Sequence, residues 1–161
     1  KITDLELLEK NILSLIKLKK KYQFIVITNQ SGIDRGFFNW DDYINFTNYL
    51  YAELRKHGVT ILSFIATSYH KDFSTSSISK DWRKPNTKSI DFLEKKYLFT
   101  REKSYFIGDK ETDIEFASNA NFKGAFLLKS DILENDLCKL KSNYKYLKDI
   151  NITNEIEANR L

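Results

Sequence analysis

Methionine is missing altogether, initiator included, so Lys1 is not expected to be the natural start. A removed tag, a disordered leader or modified methionines would each account for that. The single cysteine, Cys138, excludes an internal disulfide and makes a reducing, cytoplasmic setting the default expectation. No apolar run approaches the ~20 residues that a membrane-spanning helix needs, so no membrane partner is expected. The opening stretch Lys1-Ile2-Thr3-Asp4-Leu5-Glu6 lacks the apolar core and small-residue cleavage site of a signal peptide. The chain also has no internal repeat, no Pro/Gly-rich linker and no low-complexity tract.

What is present is the composition of a folded domain. Hydrophobic residues make up 42% of the 161 residues and charged ones 30%, which excludes a disordered chain and gives enough apolar material for one core. The net charge is +4. Lysine carries most of it, spread along the chain, with one dense patch at Lys17, Lys19, Lys20 and Lys21. At the end of a helix such lysines complement the dipole and stay solvated, so a nucleic-acid footprint is not expected there. A weakly basic surface suits a small phosphorylated substrate. A monomer or a weak homodimer is the expected state.

Leu5, Leu8, Ile12, Leu15 and Ile16 recur at helical spacing and predict a helix over residues 4–20. Phe24 to Ile27 follows as a strand, then a loop at 28–39. A second helix carries Tyr43, Phe46, Leu50 and Leu54 and stops near Gly58. Val59 to Ala66 reads as a strand and residues 68–83 as a long loop of the functional kind. Asn86 is placed to cap a helix bearing Ile90, Leu93 and Tyr97. Further strands are expected at Ser104 to Ile107, Lys123 to Leu128 and Tyr144 to Leu147. Helices are expected from Glu111 to Ala120, from Asp131, with Leu133, Leu137, Cys138 and Leu140 on the apolar side, and weakly from Thr153. Cys138 is read as packing. Strands alternating with helices imply an α/β fold with a parallel sheet and right-handed crossovers.

Three segments carry chemistry. Thr28-Asn29-Gln30-Ser31-Gly32-Ile33-Asp34 breaks a buried strand into hydroxyl, amide and glycine at its carboxyl end, where open α/β sheets place ligands, although a Thr-Asn turn alone is more often plain turn chemistry. Lys84 precedes Pro85, whose ring biases it towards extended backbone, and can present a point charge to a phosphoryl group. Asp109 and Asp113 stand four apart at a strand-to-helix junction beside Gly108. Carboxylates there suit Mg²⁺, with Asp109 as ligand. Asp113 divides evenly between orienting the metal ligands from behind them and capping the helix.

The strings Thr-Asn-Gln-Ser-Gly-Ile-x-Arg-Gly-x-Phe, Arg-Lys-Pro and Ile-Gly-Asp-Lys-x-x-Asp resemble the haloacid dehalogenase (HAD) superfamily of phosphohydrolases. Within it they look like the branch that contains D-glycero-D-manno-heptose 1,7-bisphosphate phosphatase and the histidinol-phosphatase domain. The resemblance implies a three-layer Rossmann-like parallel sheet with helices on both faces and no separate cap domain, one domain over residues 1–161 that is incomplete at its N-terminus. It implies Mg²⁺-dependent phosphomonoester hydrolysis through an aspartyl-phosphate, with a heptose bisphosphate ahead of histidinol phosphate and of polynucleotide 3′-phosphate as substrate. A non-catalytic relative that binds a phosphorylated ligand is the alternative of another class. By the same resemblance Thr28, Asn29, Gln30 and Ser31 would hold the phosphoryl group and Arg83 would contact substrate. Lys84 would stabilise phosphoryl charge, Lys110 would face the phosphate, and Asp109 would bind Mg²⁺.

The chain departs from that pattern in three places. No Asp-x-Asp, the family's nucleophile and general acid/base, occurs in the 161 residues, so the leading central strand is expected to be absent and the chain by itself inactive. Where many branch members hold zinc, the matching residues are Ser68, His70, Lys80 and Trp82. One histidine cannot make a tetrahedral site, so no zinc is expected, and His70 is read as a surface or substrate-contacting residue. Trp82 either covers a substrate ring or anchors its loop.

Overall fold

A run of β-branched and aromatic residues followed by a helical apolar stripe recurs along the chain, and the computed structural model resolves that pattern, among the described residues, into five strands and five α-helices. The structure describes residues 5–75, 78–129 and 134–161. All strand pairs in it are parallel. The chain divides into two compact units, one of Lys1–Arg83 with Ala158–Arg160 and one of Lys84–Glu157 with Leu161.

In the first unit, α1 (Glu9–Leu18) leads into β1 (Phe24–Asn29), then α2 (Trp40–Lys56) and β2 (Ile61–Thr67). The first helix is shorter than its apolar pattern predicts, and Lys19 donates from Nζ to the Gly58 carbonyl at 2.8 Å, so this lysine of the basic patch has a protein partner as well as solvent. The start of α2 is fixed by a capping box. Asn39 Oδ1 accepts from the Asp42 N–H at 2.9 Å, and Asp42 Oδ2 accepts from the Asn39 N–H at 3.0 Å. Gly58, at φ +71°, takes the left-handed conformation that ends the turn after α2. Ile12, Leu54, Val59 and Ile61 are the buried centre, and Leu15, Val26, Leu50 and Phe64 pack against it. Parallel pairing sets Thr28 opposite Ala66 and Asn29 opposite Thr67, so the carboxyl ends of β1 and β2 lie side by side.

In the second unit, α3 (Lys88–Lys96), β3 (Tyr105–Gly108), α4 (Glu111–Asn119), β4 (Gly124–Leu128), α5 (Glu134–Asn143) and β5 (Asp149–Thr153) follow in order, with the strands arranged β3-β4-β5. Its core holds Ile90, Leu93, Ile114, Phe116, Ala125 and Phe126, all essentially inaccessible to solvent. Phe116 meets Phe106 and Phe122 edge-on, with centroids 5.0 and 6.2 Å away.

Several expectations need correction. The first strand runs two residues further, so Thr28 and Asn29 lie within β1 and not in a loop. Thr87, not Asn86, stands at the N-cap of α3, and it makes no side-chain cap bond. The strand expected at 144–147 is a turn, because Tyr144 and Leu147 close on each other through a backbone bond of 3.1 Å; the apolar alternation that forms the last strand starts at Asp149. Thr153 therefore ends a strand instead of opening a helix, and only a 3-10 turn at Ala158–Arg160 follows. Cys138 is exposed, so it does not pack in the core. Asp131 and Leu133, read as the beginning of that helix, lie outside the described residues.

Because Phe116 is fully buried among aromatic neighbours, Phe116→Ala is expected to lower unfolding stability by about 3–5 kcal/mol through lost transfer energy and the cavity left behind. Denaturant titration of the two proteins measures it.

Candidate active site

Strand carboxyl ends collect backbone groups that the sheet no longer pairs, which is why α/β proteins bind ligands there. Each unit of this chain carries a polar cluster at that end.

In the first unit the cluster is the turn after β1. The Gln30 N–H continues the ladder to the Thr67 carbonyl at 2.7 Å, while Gln30 Nε2 donates to Thr28 Oγ1 at 2.9 Å. With its oxygen accepting from Gln30, the Thr28 hydroxyl keeps its own hydrogen to donate. The Arg35 N–H bonds the Ser31 carbonyl at 3.2 Å and the Phe37 N–H bonds the Gly32 carbonyl at 2.8 Å, which curls the segment into a tight loop. A Cβ at Gly32 would run into the Phe38 ring, which packs directly against this glycine. Gly36, at φ +73°, completes the curl. Arg35 stacks over the Phe37 ring at 4.3 Å. Arg83 also belongs to this unit and reaches the 68–75 segment, its guanidinium donating to the Tyr69 carbonyl at 2.9 Å. His70 is partly buried within that segment, its Nδ1 accepting from the Asp72 N–H at 3.2 Å. Trp82 ends a 3-10 helix, Ile78–Trp82, that leads directly to Arg83.

In the second unit the cluster is built on Asp113. This carboxylate lies in the first turn of α4 with its side chain only 5% exposed, so its charge must be met by protein partners. Oδ2 accepts from the N–H groups of Asp109 and Lys110 at 3.1 and 3.2 Å, satisfying the N-cap donor that the helix start leaves open and the one just before it. Oδ1 takes Lys84 Nζ at 2.6 Å, and the lysine also lies over the Phe106 ring at 4.9 Å. Of the two readings left open for Asp113, capping is therefore visible directly, and both its oxygens are engaged. The Lys84–Pro85 peptide is cis, and the Pro85 carbonyl accepts from Asn119 Nδ2 at 3.2 Å, which ties the Lys84 segment to the end of α4.

Gly108 makes this arrangement possible, since a Cβ at that position would occupy the space of the Asp113 carboxyl group. In the sequence Gly108 reads only as part of a string. A glycine between a strand and an acidic helix turn is the available signal for a close approach. Asp109 and Lys110 are exposed, so a carboxylate and an ammonium stand at the surface directly after β3, beside the buried Lys84–Asp113 pair. The structure thus brings Lys84, Asp109, Lys110 and Asp113 together in one unit, and Thr28, Asn29, Gln30, Ser31 and Arg83 fall in the other. Among the described residues no three His, Cys, Asp or Glu side chains group as a metal cage.

Residues 81–150 match a family model described as HAD-hydrolase-like. A D-glycero-alpha-D-manno-heptose-1,7-bisphosphate 7-phosphatase of Photorhabdus laumondii is 35% identical over 133 residues, covering 81% of this chain and 73% of the relative. A D-glycero-beta-D-manno-heptose-1,7-bisphosphate 7-phosphatase of Helicobacter pylori strain J99 is 34% identical over 128 residues, covering 78% and 71%. Among solved structures, D,D-heptose 1,7-bisphosphate phosphatase from B. bronchiseptica, in complex with magnesium and phosphate, superposes with a TM-score of 0.75 over 99% of this chain and 84% of that one. At 16% identity that likeness speaks for the fold.

Gly108→Ala is expected to push the Asp113 carboxylate out of place and to cost about 1–3 kcal/mol of stability, as overpacking does. Thermal unfolding beside the parent protein measures the loss, and an unchanged midpoint would contradict the close approach.

Proposed function

The chain belongs to the HAD family of phosphatases, and on that premise we propose that it serves as a Mg²⁺-dependent hydrolase of a sugar phosphate, a heptose 1,7-bisphosphate before others. The observation that carries this reading is the Lys84–Asp113 pair fixed at the end of β3 beside the exposed Asp109. An ammonium held rigidly at one place can meet the charge that spreads over phosphoryl oxygens in the transition state, with little reorganisation when the reaction occurs. The Thr28 hydroxyl, set by Gln30, supplies a hydrogen-bond donor of the kind that a phosphoryl oxygen accepts. Asn29, Ser31, Arg83 and Lys110 are assigned to substrate by the same reading. Both units are taken as parts of one phosphatase domain.

Mg²⁺ fits the donor chemistry after β3. It is a hard cation that uses one or two carboxylates and fills its remaining positions with water and phosphate oxygens. Asp109 would hold it; Asp113, with both oxygens committed, would position Asp109 and Lys84 instead. When bound, the ion supplies positive charge against the phosphoryl group. The reaction also needs a nucleophile, and the sequence contains no Asp-x-Asp. Among the described residues β1 pairs with β2 alone and β3 with β4 alone, so each has a ladder edge able to accept another parallel strand. We assign the attacking carboxylate to such a strand. It would displace the sugar oxygen from phosphorus, that oxygen taking a proton from a second carboxylic acid of the same strand, and water, giving a proton back to that carboxylate, would then cleave the aspartyl-phosphate to inorganic phosphate and the free attacking carboxylate.

The product of the complete gene is expected to release phosphate from heptose 1,7-bisphosphate only when Mg²⁺ is present, and faster than from histidinol phosphate or a 3′-phosphorylated oligonucleotide. Lys84→Ala should lower kcat/KM by about 100-fold or more, the scale of removing one preorganised charge-stabilising donor. Wild-type rates in a folded Lys84→Ala protein would remove Lys84 from the mechanism. Faster release from the oligonucleotide would overturn the substrate assignment.

A further inference from the structure

The segment from Ser68 to Thr75 has no regular secondary structure, yet its shape is set by a dense set of hydrogen bonds. Thr67 Oγ1 donates to the Ser79 carbonyl at 3.0 Å, and the Arg83 guanidinium holds the Tyr69 carbonyl at 2.9 Å. Inside the segment Ser74 is the hub. Its N–H donates to the His70 carbonyl at 3.0 Å, and its Oγ accepts from the His70 N–H at 2.6 Å. The same hydroxyl then donates to Asp34 Oδ2, forty residues away in the turn after β1. That contact is the one among these bonds that joins the 68–75 segment to the curled turn of Thr28 to Gly36. A hydroxyl donating to an ionised carboxylate makes a charge-assisted bond, roughly twice as strong as a neutral one. Ser74 is well placed to make it, because accepting from His70 polarises the O–H towards Asp34.

Asp34 is not committed to the turn's own backbone bonds, which run through Gln30, Ser31, Gly32 and Ile33. Its carboxylate faces the other segment. The two segments it joins each carry a bulky aromatic into solvent, Phe37 on the turn and Phe73 on the opposite loop, together with the cations Arg35 and Lys71.

We propose that Asp34 and Ser74 form a latch that fixes the 68–75 loop against the turn after β1, making Asp34 a positioning residue for the part of the substrate beyond the reacting phosphate. The loop lies at the carboxyl end of β2, next to the end of β1 that carries Thr28, so its residues are those that a substrate's remaining groups would meet. Locked, it presents one arrangement of side chains; released, it presents many and gives up affinity to ordering entropy. The inference rests on the phosphatase reading for its effect on substrate, but the latch itself does not depend on that reading.

Two measurements on the complete gene product test it, backbone amide exchange over residues 69–75 and steady-state kinetics on heptose 1,7-bisphosphate with Mg²⁺. Ser74→Ala and Asp34→Ala are expected to speed exchange in that segment about tenfold, in keeping with the loss of a hydrogen bond to a charged group, while exchange in β1 and β2 stays as in the parent. KM should rise about tenfold with kcat kept within about twofold, because the reacting centre is untouched. Ser74→Thr, which keeps the hydroxyl, should restore both. Unchanged exchange in Ser74→Ala, or failure of Ser74→Thr to restore it, overturns the latch. A fall in kcat at constant KM overturns the positioning role. Faster exchange in a protein that releases no phosphate from any substrate would leave the latch standing and defeat the phosphatase reading instead.

Discussion

Asp113 is the group on which the second unit's polar architecture depends. A carboxylate buried to this degree is tolerated only when every oxygen is answered, and here two backbone N–H groups and one ammonium answer it. Each partner is positioned in return. Lys84 is brought in from the segment before α3, the backbone of Asp109 and Lys110 is pinned at the start of α4, and residue 108 is restricted to glycine. Removing the Lys84 ammonium would leave the buried Asp113 carboxylate without its counter-charge, which typically costs several kcal/mol. Stability and the proposed chemistry therefore share one set of atoms. The pair that makes α4 start where it does also sets the ammonium that the proposed chemistry uses.

The first unit follows a different rule. Its polar turn is shaped by backbone bonds and by glycines at two positions where a side chain would clash or strain the chain, Gly32 and Gly36. The side chains that decorate the turn are held by neighbours of similar polarity: Thr28 by Gln30, and Asp34 by Ser74. Both contacts lie within the unit, so the orientation of these side chains is set by the turn and the 68–75 segment themselves.

Much of this was readable in the sequence because it rests on local rules. Alternating strand and helix periodicity pointed to the α/β order, and the strings around Thr28, Lys84 and Asp109 pointed to the family that the comparisons establish. Chain ends were less legible. Tyr144 to Leu147 has the residue types of a strand, but hydrogen-bond partners decide where pairing begins, and β4 offers its edge to residues 149–153. Cys138 fell on an apolar stripe that its neighbourhood did not bury. The long-range bonds were invisible for a deeper reason. No spacing rule connects Asp34 to Ser74 or Lys84 to Asp113, because tertiary packing alone brings them together. Asp113 was legible as a helix cap or as an acid that orients the metal site, yet its pairing with Lys84 is what makes its burial possible.

The most direct test of this account is a double-mutant cycle on unfolding stability with Lys84→Met, Asp113→Asn and the combined variant. The two changes are expected to be strongly non-additive, with a coupling energy of about 2 kcal/mol or more, since the two side chains are in direct contact in a site almost closed to solvent. A coupling below about 0.5 kcal/mol, the level found for independent sites, would mean that Asp113 does not hold Lys84 and would contradict the central claim.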